Sequence, residues 1–161
     1  DTDRSRGLGD VYKRQIICLE GTEIIGAFLA RELAKEGHTS INSGKDICVI
    51  TPETNANNQM IFRDNIQKHV FNKQILLLIS SASTGKTINR SVECLQYYNG
   101  QLAGVASIFS AINEHNGIQI NSIFTSEDLN NYETMSAHDC KLCKSGQKVD
   151  AIINSFGYSK I

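Results

Sequence analysis

Residues 75–88 read ILLLISSASTGKTI, and the character of the chain changes in the middle of this stretch. The segment 75–79 is five consecutive apolar residues, a length and composition typical of a buried parallel strand. Small and hydroxylated residues follow, and helical spacing begins at Lys86. Where such a loop connects a strand to a helix, the free backbone N–H groups and the positive end of the helix dipole lie together at the start of the helix. The stretch therefore predicts a phosphate-binding loop, with a polar turn capped by a serine or threonine as the alternative.

The rest of the chain alternates apolar runs of strand length with segments of helical spacing. Strands are predicted at 16–19, 47–50, 75–79, 102–109 and 118–124, and helices at 23–35 and 86–98. The polar segment 51–63 is predicted to be the longest stretch without secondary structure, and 114–117 a turn. This order predicts an α/β fold with a mostly parallel sheet flanked by helices. The turn at 20–22 and the loop at 80–87 would then lie at the same edge of the sheet.

Composition narrows the class of protein. The chain has 161 residues, a net charge of −1 and a pI near 6.5, which favours one domain and gives no basic surface for nucleic acid. Apolar runs of about five residues are far shorter than the roughly 20 that a membrane helix needs. Of five cysteines, Cys18, Cys48 and Cys94 lie in apolar or helical segments, where a buried thiol is expected. A reducing cytoplasm fits this usage best.

The first fifteen residues differ in character from the remainder of the chain. They are charged, lack apolar periodicity and end in DVYKRQ, which resembles a translated adapter remnant. We expect residues 1–15 to be a non-native leader and 16–161 to form a single domain with a CxxC tail.

The loop shares only half of the Walker A pattern G-x-x-x-x-G-K-[ST]. Gly85, Lys86 and Thr87 supply its second half, whereas Ser80 stands at the position of the first glycine. The apolar run 102–109 is followed by Ser110 rather than by the aspartate of a Walker B strand. A P-loop nucleoside triphosphatase is therefore the less favoured interpretation.

A different phosphate loop matches better. The order of strand, small polar residues and T-G-K-T resembles the ribose-phosphate loop of type I phosphoribosyltransferases. The segment LEGTE at 19–23 resembles their pyrophosphate loop, IIGAFLARELAKEG the helix after it, and CKLCKSG near the end the C-P-L-C segment of many orotate phosphoribosyltransferases. The resemblance spans about residues 16–148, and the orotate enzymes are the most similar branch.

This resemblance implies a set of roles. The 5′-phosphate of phosphoribosyl pyrophosphate, or of a nucleotide, would be bound by Ser83, Thr84, Gly85, Lys86 and Thr87. The pyrophosphate would approach Glu20, Gly21 and Thr22, accompanied by Mg²⁺. The reaction implied is displacement of pyrophosphate by a base nitrogen, in a protein that forms a homodimer.

The same resemblance shows where this chain departs from the family. The acid pair that binds the ribose hydroxyls there corresponds to Ile79 and Ser80. The segment 50–59 has no basic residue where the family has a basic flexible loop, and 110–113 reads SAIN where orotate enzymes have Asp-Arg. No catalytic residue is singled out, and a non-catalytic protein that binds a ribose phosphate is the alternative function.

The tail holds the remaining candidate site. Cys140 and Cys143 are spaced to bind one zinc ion, with His138 as a third ligand and His115 or Asp139 as a fourth. Redox pairing of the two thiols, or simple packing of a C-terminal turn, are the alternatives.

Overall fold

The computed structural model describes residues 14–35, 47–57, 59–136, 138–154 and 157–161. Of the predicted leader, residues 1–13 lie outside this range. Arg14 and Gln15 belong to the first strand, which therefore begins two residues earlier than the apolar run at Ile16 indicates.

Most elements follow the predicted order. The strands are β1 (Arg14–Cys18), β2 (Val49–Ile50), β3 (Glu53–Thr54), β4 (Met60–Ile61), β5 (Gln74–Ala82), β6 (Gln101–Ser110), β7 (Glu114–His115), β8 (Ile118–Thr125), β9 (Ala151–Asn154) and β10 (Gly157–Lys160). The helices are α1 (Glu23–Lys35), α2 (Asp64–Gln67), α3 (Lys86–Tyr97) and α4 (Lys141–Lys144), with a 3₁₀ turn at Ser126–Asp128.

The central sheet has the strand order β2-β1-β5-β6-β8-β7. Its first four pairings are parallel, and only the short β7 at the edge runs antiparallel, to β8. One face packs against Ile88 and Leu95 of α3, and the other against Ala30 of α1. The prediction of an α/β fold with a mostly parallel sheet flanked by helices is confirmed.

The strand order places a crevice beside β1. From β1 the chain moves to β2 on one side, and it then crosses to β5 on the other side. Chain segments that leave the carboxyl ends of β1 and β5 therefore diverge, and ligands of open α/β sheets bind at such a switch point. Both loops predicted to bind the ligand begin here.

The prediction that segment 51–63 lacks structure is wrong. It forms a β3–β4 hairpin in which Thr54 pairs with Met60. The Asn55 side-chain oxygen accepts hydrogen bonds from the N–H groups of Asn57 (2.9 Å) and Gln59 (3.0 Å), so an asparagine closes the turn. Met60 and Phe62 are buried, and they attach the hairpin to the core. The polar residues that suggested a loop are the ones that build the turn.

Two other elements also differ from the predicted ones. Part of the predicted turn 114–117 is β7, which is joined to β8 through Asn116 and Gly117, both with positive φ. At the end of the chain, β9 and β10 form a separate antiparallel hairpin with exposed apolar residues such as Ile153 and Tyr158. None of the helices in the described part of the chain has the length and apolar character needed to cross a membrane.

Candidate functional site

The turn after β1 is held in an unusual backbone conformation. Glu20 and Gly21 have φ values of 59° and 80°, and the Leu19 N–H donates to the Leu78 carbonyl of β5 at 2.9 Å. Positive φ is costly for a residue other than glycine and is concentrated at functional sites. A Cβ atom on Gly21 would meet no atom within 4 Å, so this turn is open on its outer side. The geometry leaves room for a ligand beside Glu20 and Gly21.

Thr22 has a structural role that the sequence did not indicate. Its side chain is 1% exposed, and its hydroxyl lies 2.9 Å from the Leu19 carbonyl and 3.1 Å from the Leu78 carbonyl. A buried hydroxyl with these acceptors has no proton left for a ligand. The Thr22 hydroxyl thus joins the turn to β5, and the approach of Thr22 to pyrophosphate stays a prediction.

The predicted phosphate loop connects β5 directly to α3. Gly85 is the residue before the helix and has φ 73°, in the left-handed region that glycine tolerates. No side chain caps α3, and no acidic residue lies in its first turn. The N–H groups at the start of the helix are thus available to an anion, and Lys86 is exposed beside them.

His115 is a residue of this site that sequence analysis placed elsewhere. A Cβ atom on Gly85 would overlap its imidazole ring, so β7 lies directly against the loop. The ring Nε2 is 2.9 Å from Asn89 Oδ1 on α3, which ties β7 to the helix. Only the sheet pairing of β7 brings His115 here. The N-G turn after it is the one signal in the sequence that could have indicated this hairpin.

The two loops meet through Glu20 and Ser80. The Ser80 hydroxyl donates a hydrogen bond to Glu20 Oε2 across the gap between β5 and the turn after β1. A carboxylate therefore stands at the carboxyl end of β5 although β5 itself contributes no acid there.

Two cavities adjoin Glu20. The smaller, about 230 Å³, is lined by Glu20 and by residues 81–88, which include the predicted phosphate-binding residues 83–87. The larger, about 680 Å³, is lined by residues that include Glu20, Pro52, Thr87 and Arg90. Glu20 and Thr87 line both, so one extended ligand could occupy the two cavities. Within the described chain, neither Lys86 nor Arg90 forms an ion pair, and both remain available to an anionic ligand.

The residues at the positions of the missing acid pair differ in their surroundings. Ile79 is 0% exposed and belongs to the core beneath α3, whereas Ser80 is half-buried and reaches Glu20. Ile79 therefore contributes to packing of the core, whereas Ser80 contributes a hydrogen bond to the site.

The geometry does not form a Walker loop. β5 continues through Ala82, and Ser81 and Ala82 pair with Phe109 and Ser110 of β6. Only residues 83–85 separate the strand from α3. Ser80, at the position of the first Walker glycine, is therefore part of the sheet and cannot wrap a phosphate.

Burial disfavours the thiolate form of two cysteines. It raises the pKa of Cys18, which lines the larger cavity, and also the pKa of Cys94, whose Sγ donates to the Met60 carbonyl at 3.0 Å. Only the thiolate is a strong nucleophile, so both groups stay protonated and unreactive near neutral pH.

The tail does not assemble the predicted zinc ligands. Cys140 and Cys143 are joined in a disulfide, and Cys140 Sγ accepts from the Cys143 N–H at 3.1 Å. His115 lies at the phosphate loop instead, and His138 is exposed. No group of three metal-ligating side chains occurs among the described residues. Paired sulfurs cannot act as thiolate ligands, so zinc does not fit this arrangement and stays a prediction for the reduced protein.

Comparison with known proteins gives a likeness in fold. No family model and no curated sequence matches the chain. Solved structures that match include orotate phosphoribosyltransferase from Mycobacterium tuberculosis H37Rv in complex with 5-phospho-α-D-ribosyl 1-diphosphate (17% identity, TM-score 0.49, 74% of this chain and 66% of that chain). Orotate phosphoribosyltransferase from Aeropyrum pernix also matches (15% identity, TM-score 0.47, 92% of this chain and 80% of that chain).

A third matching structure is adenine phosphoribosyltransferase from Trypanosoma brucei in complex with AMP, pyrophosphate and ribose-5-phosphate (12% identity, TM-score 0.43, 91% of this chain and 77% of that chain). All three are phosphoribosyltransferases, the family that the loop sequences resemble. At these identities the likeness concerns the fold alone, and a function has to be argued from the residues of the site.

Proposed function

We propose that this chain is a phosphoribosyltransferase of nucleotide metabolism that binds phosphoribosyl pyrophosphate or a nucleotide. The observation that carries the proposal is the pair of adjoining cavities at the switch point of the sheet. The smaller cavity offers the uncapped start of α3 to a phosphate, and the larger one has room for the groups attached to the sugar. A ribose phosphate matches this pair of cavities, because its compact phosphate is attached to a larger sugar.

Each part of the site has a role in this proposal. The N–H groups of the phosphate loop, the hydroxyls of Ser83, Thr84 and Thr87, and Lys86 would hold the 5′-phosphate. Gly21 leaves open space for the pyrophosphate, and Arg90 faces the larger cavity with its charge unpaired in the described chain. With no acid or base singled out, catalysis would depend on positioning and on stabilisation of the charge that builds on the leaving group.

Mg²⁺ fits this site as a companion of the substrate. Mg²⁺ usually keeps several waters and uses one or two carboxylates together with substrate phosphates. Glu20 is the carboxylate that lines both cavities, and no cluster of three ligands exists among the described residues to hold the ion alone. When bound, the ion would supply charge neutralisation of the departing pyrophosphate.

The finer assignment follows the sequence resemblance. Orotate is the first acceptor base to test, and activity with it would assign the protein to pyrimidine biosynthesis. We also expect the protein to be a cytoplasmic homodimer.

The experiment is a turnover assay. The protein is mixed with phosphoribosyl pyrophosphate, Mg²⁺ and each of a panel of purine and pyrimidine bases, and pyrophosphate release is followed. We expect base-dependent release that falls at least tenfold in Lys86→Ala, with Lys35→Ala, an exposed lysine of α1, as the matched control.

Two results would redirect the proposal. No release with any base, together with measurable binding of ribose 5-phosphate, would favour the non-catalytic binding protein. ATP binding that is lost in Lys86→Ala, without affinity for ribose phosphates, would favour a nucleoside triphosphatase.

A further inference from the structure

Glu20 presents a chemical conflict that points to its role. The resemblance to the pyrophosphate loop would place it beside pyrophosphate. An ionised carboxylate only accepts hydrogen bonds, and it repels phosphate oxygens at close range. Its partners must therefore be donors or a cation. The donor it has in the structure is the Ser80 hydroxyl.

The position of Glu20 selects among these partners. Its side chain lies at the boundary of the two cavities, next to the phosphate loop and exposed to solvent. In a ribose 5-phosphate whose phosphate occupies the smaller cavity, the sugar ring follows the phosphate directly. The ring hydroxyls would then be hydrogen-bond donors in the space that Glu20 lines.

The surroundings hold the carboxylate in place. Glu20 has φ 59°, and its turn is fastened to β5 through Leu19 and Thr22. The Ser80 hydroxyl occupies one carboxylate oxygen, Oε2. The second oxygen, Oε1, is left to accept a hydrogen bond from a ligand.

We propose that Glu20, held by Ser80, recognises the ribose hydroxyls of the ligand. This inference rests on the proposed function, because it needs a ribose phosphate in the phosphate loop. It makes Glu20 the residue that distinguishes ribose phosphates from deoxyribose phosphates and from inorganic phosphate. The acid that is absent from β5 at Ile79 and Ser80 is thus supplied from the neighbouring turn.

The test compares three ligands by calorimetry: ribose 5-phosphate, 2-deoxyribose 5-phosphate and inorganic phosphate. We expect the unmodified chain to bind the ribose compound at least about tenfold more tightly than the deoxyribose compound, since each hydrogen bond to a charged acceptor contributes on this scale. Glu20→Gln should lower affinity for ribose 5-phosphate about tenfold without lowering affinity for inorganic phosphate, because the substitution removes a hydrogen-bond acceptor for the sugar and a negative charge beside the phosphate. Glu23→Gln, at the start of α1 and outside both cavities, is the matched control.

A double substitution tests whether a carboxylate at this position is what the ribose needs. Glu20→Gln combined with Ser80→Asp returns one carboxylate to the same boundary, and we expect it to regain affinity for ribose 5-phosphate. Failure to regain it would contradict the inference. So would unchanged affinity in Glu20→Gln, or an equal loss for all three ligands, because equal loss would indicate a distorted loop.

The outcomes also separate this inference from the proposed function. If the unmodified chain binds no ribose phosphate, both fail. If it binds ribose 5-phosphate and Glu20→Gln binds it equally well, only the role of Glu20 is overturned.

Discussion

The hydroxyl of Thr22 lies 3.1 Å from the carbonyl oxygen of Leu78 and joins the turn after β1 to the middle of β5. The two residues are 56 positions apart in sequence, and this hydrogen bond is buried. It fixes the spacing between the two loops of the candidate site, so its loss should be measurable in the stability of the fold.

Thr22→Val keeps the shape of the side chain and removes the hydroxyl. We expect the free energy of unfolding to fall by about 1–3 kcal/mol, because the Leu19 and Leu78 carbonyls each lose the hydrogen bond from the buried Thr22 hydroxyl. Urea denaturation followed by circular dichroism measures this. Thr51→Val is the control, since the Thr51 hydroxyl bonds to Glu23 at an exposed position, and it should change stability by less than about 0.5 kcal/mol. Equal effects of the two substitutions would contradict the role given to Thr22.

Gly85→Ala tests the close contact between the phosphate loop and β7. Gly85 and Gly117 have φ values of 73° and 78°, so alanine costs about 1–2 kcal/mol of backbone strain at either position. A methyl group at Gly85 would also overlap His115, whereas at Gly117 it would meet nothing within 4 Å. We therefore expect Gly85→Ala to be less stable than Gly117→Ala by at least about 1 kcal/mol.

The same pair of variants reports on ligand binding. Gly85→Ala should lose affinity for inorganic phosphate in calorimetry, since the loop cannot keep its conformation, and Gly117→Ala should retain it. Retained phosphate affinity in Gly85→Ala would argue against the phosphate loop.

Ser107 and Ser110 lie three residues apart in β6 and should respond in opposite ways to alanine. The Ser107 hydroxyl is buried, at 4% residue exposure, and is the buried side-chain polar atom without a hydrogen-bond partner among the described residues. Ser107→Ala should leave stability unchanged or raise it by up to about 1 kcal/mol. The Ser110 hydroxyl donates to the Ile112 carbonyl at 2.6 Å, so Ser110→Ala should lower stability by about 1 kcal/mol. Thermal unfolding measures both, and destabilisation by Ser107→Ala would contradict the assignment.

Arg90→Gln tests whether the larger cavity receives the pyrophosphate. Arg90 lines this cavity, so its loss should weaken binding of phosphoribosyl pyrophosphate about tenfold, roughly 1.4 kcal/mol. Binding of ribose 5-phosphate should change little, because that ligand lacks the pyrophosphate. Arg31→Gln, a change to an exposed arginine that stacks on Phe28, is the control. An equal loss for both ligands would place the pyrophosphate elsewhere.

The sequence indicated the elements of the site because their signals are local. Five apolar residues, then small polar residues and a glycine before a helical pattern, specify a strand, a loop and a helix through the conformational preferences of those residues alone. Gly85 adopts the positive φ that favours glycine, and α3 begins at Lys86 as predicted. The parallel sheet followed from the alternation of elements, and with it the edge where both loops lie.

Hairpins were the local features that went unrecognised. Segment 51–63 contains strands of only two residues, too short for an apolar alternation to show. The side-chain hydrogen bonds of Asn55 and the ion pair between Glu53 and Arg63 (2.6 Å) stabilise that hairpin, and neither can be read from hydrophobic periodicity.

The sequence by itself thus determined the α/β fold and predicted the position of a phosphate loop, since both depend on local composition and spacing. Tertiary structure alone decided which side chains complete the site. It buried Thr22 and Ile79, brought His115 against Gly85 and placed Glu20 beside Ser80. The contact between Glu20 and Ser80 joins residues 60 positions apart, and it exists because the parallel strands β1 and β5 align their carboxyl ends at one edge of the sheet.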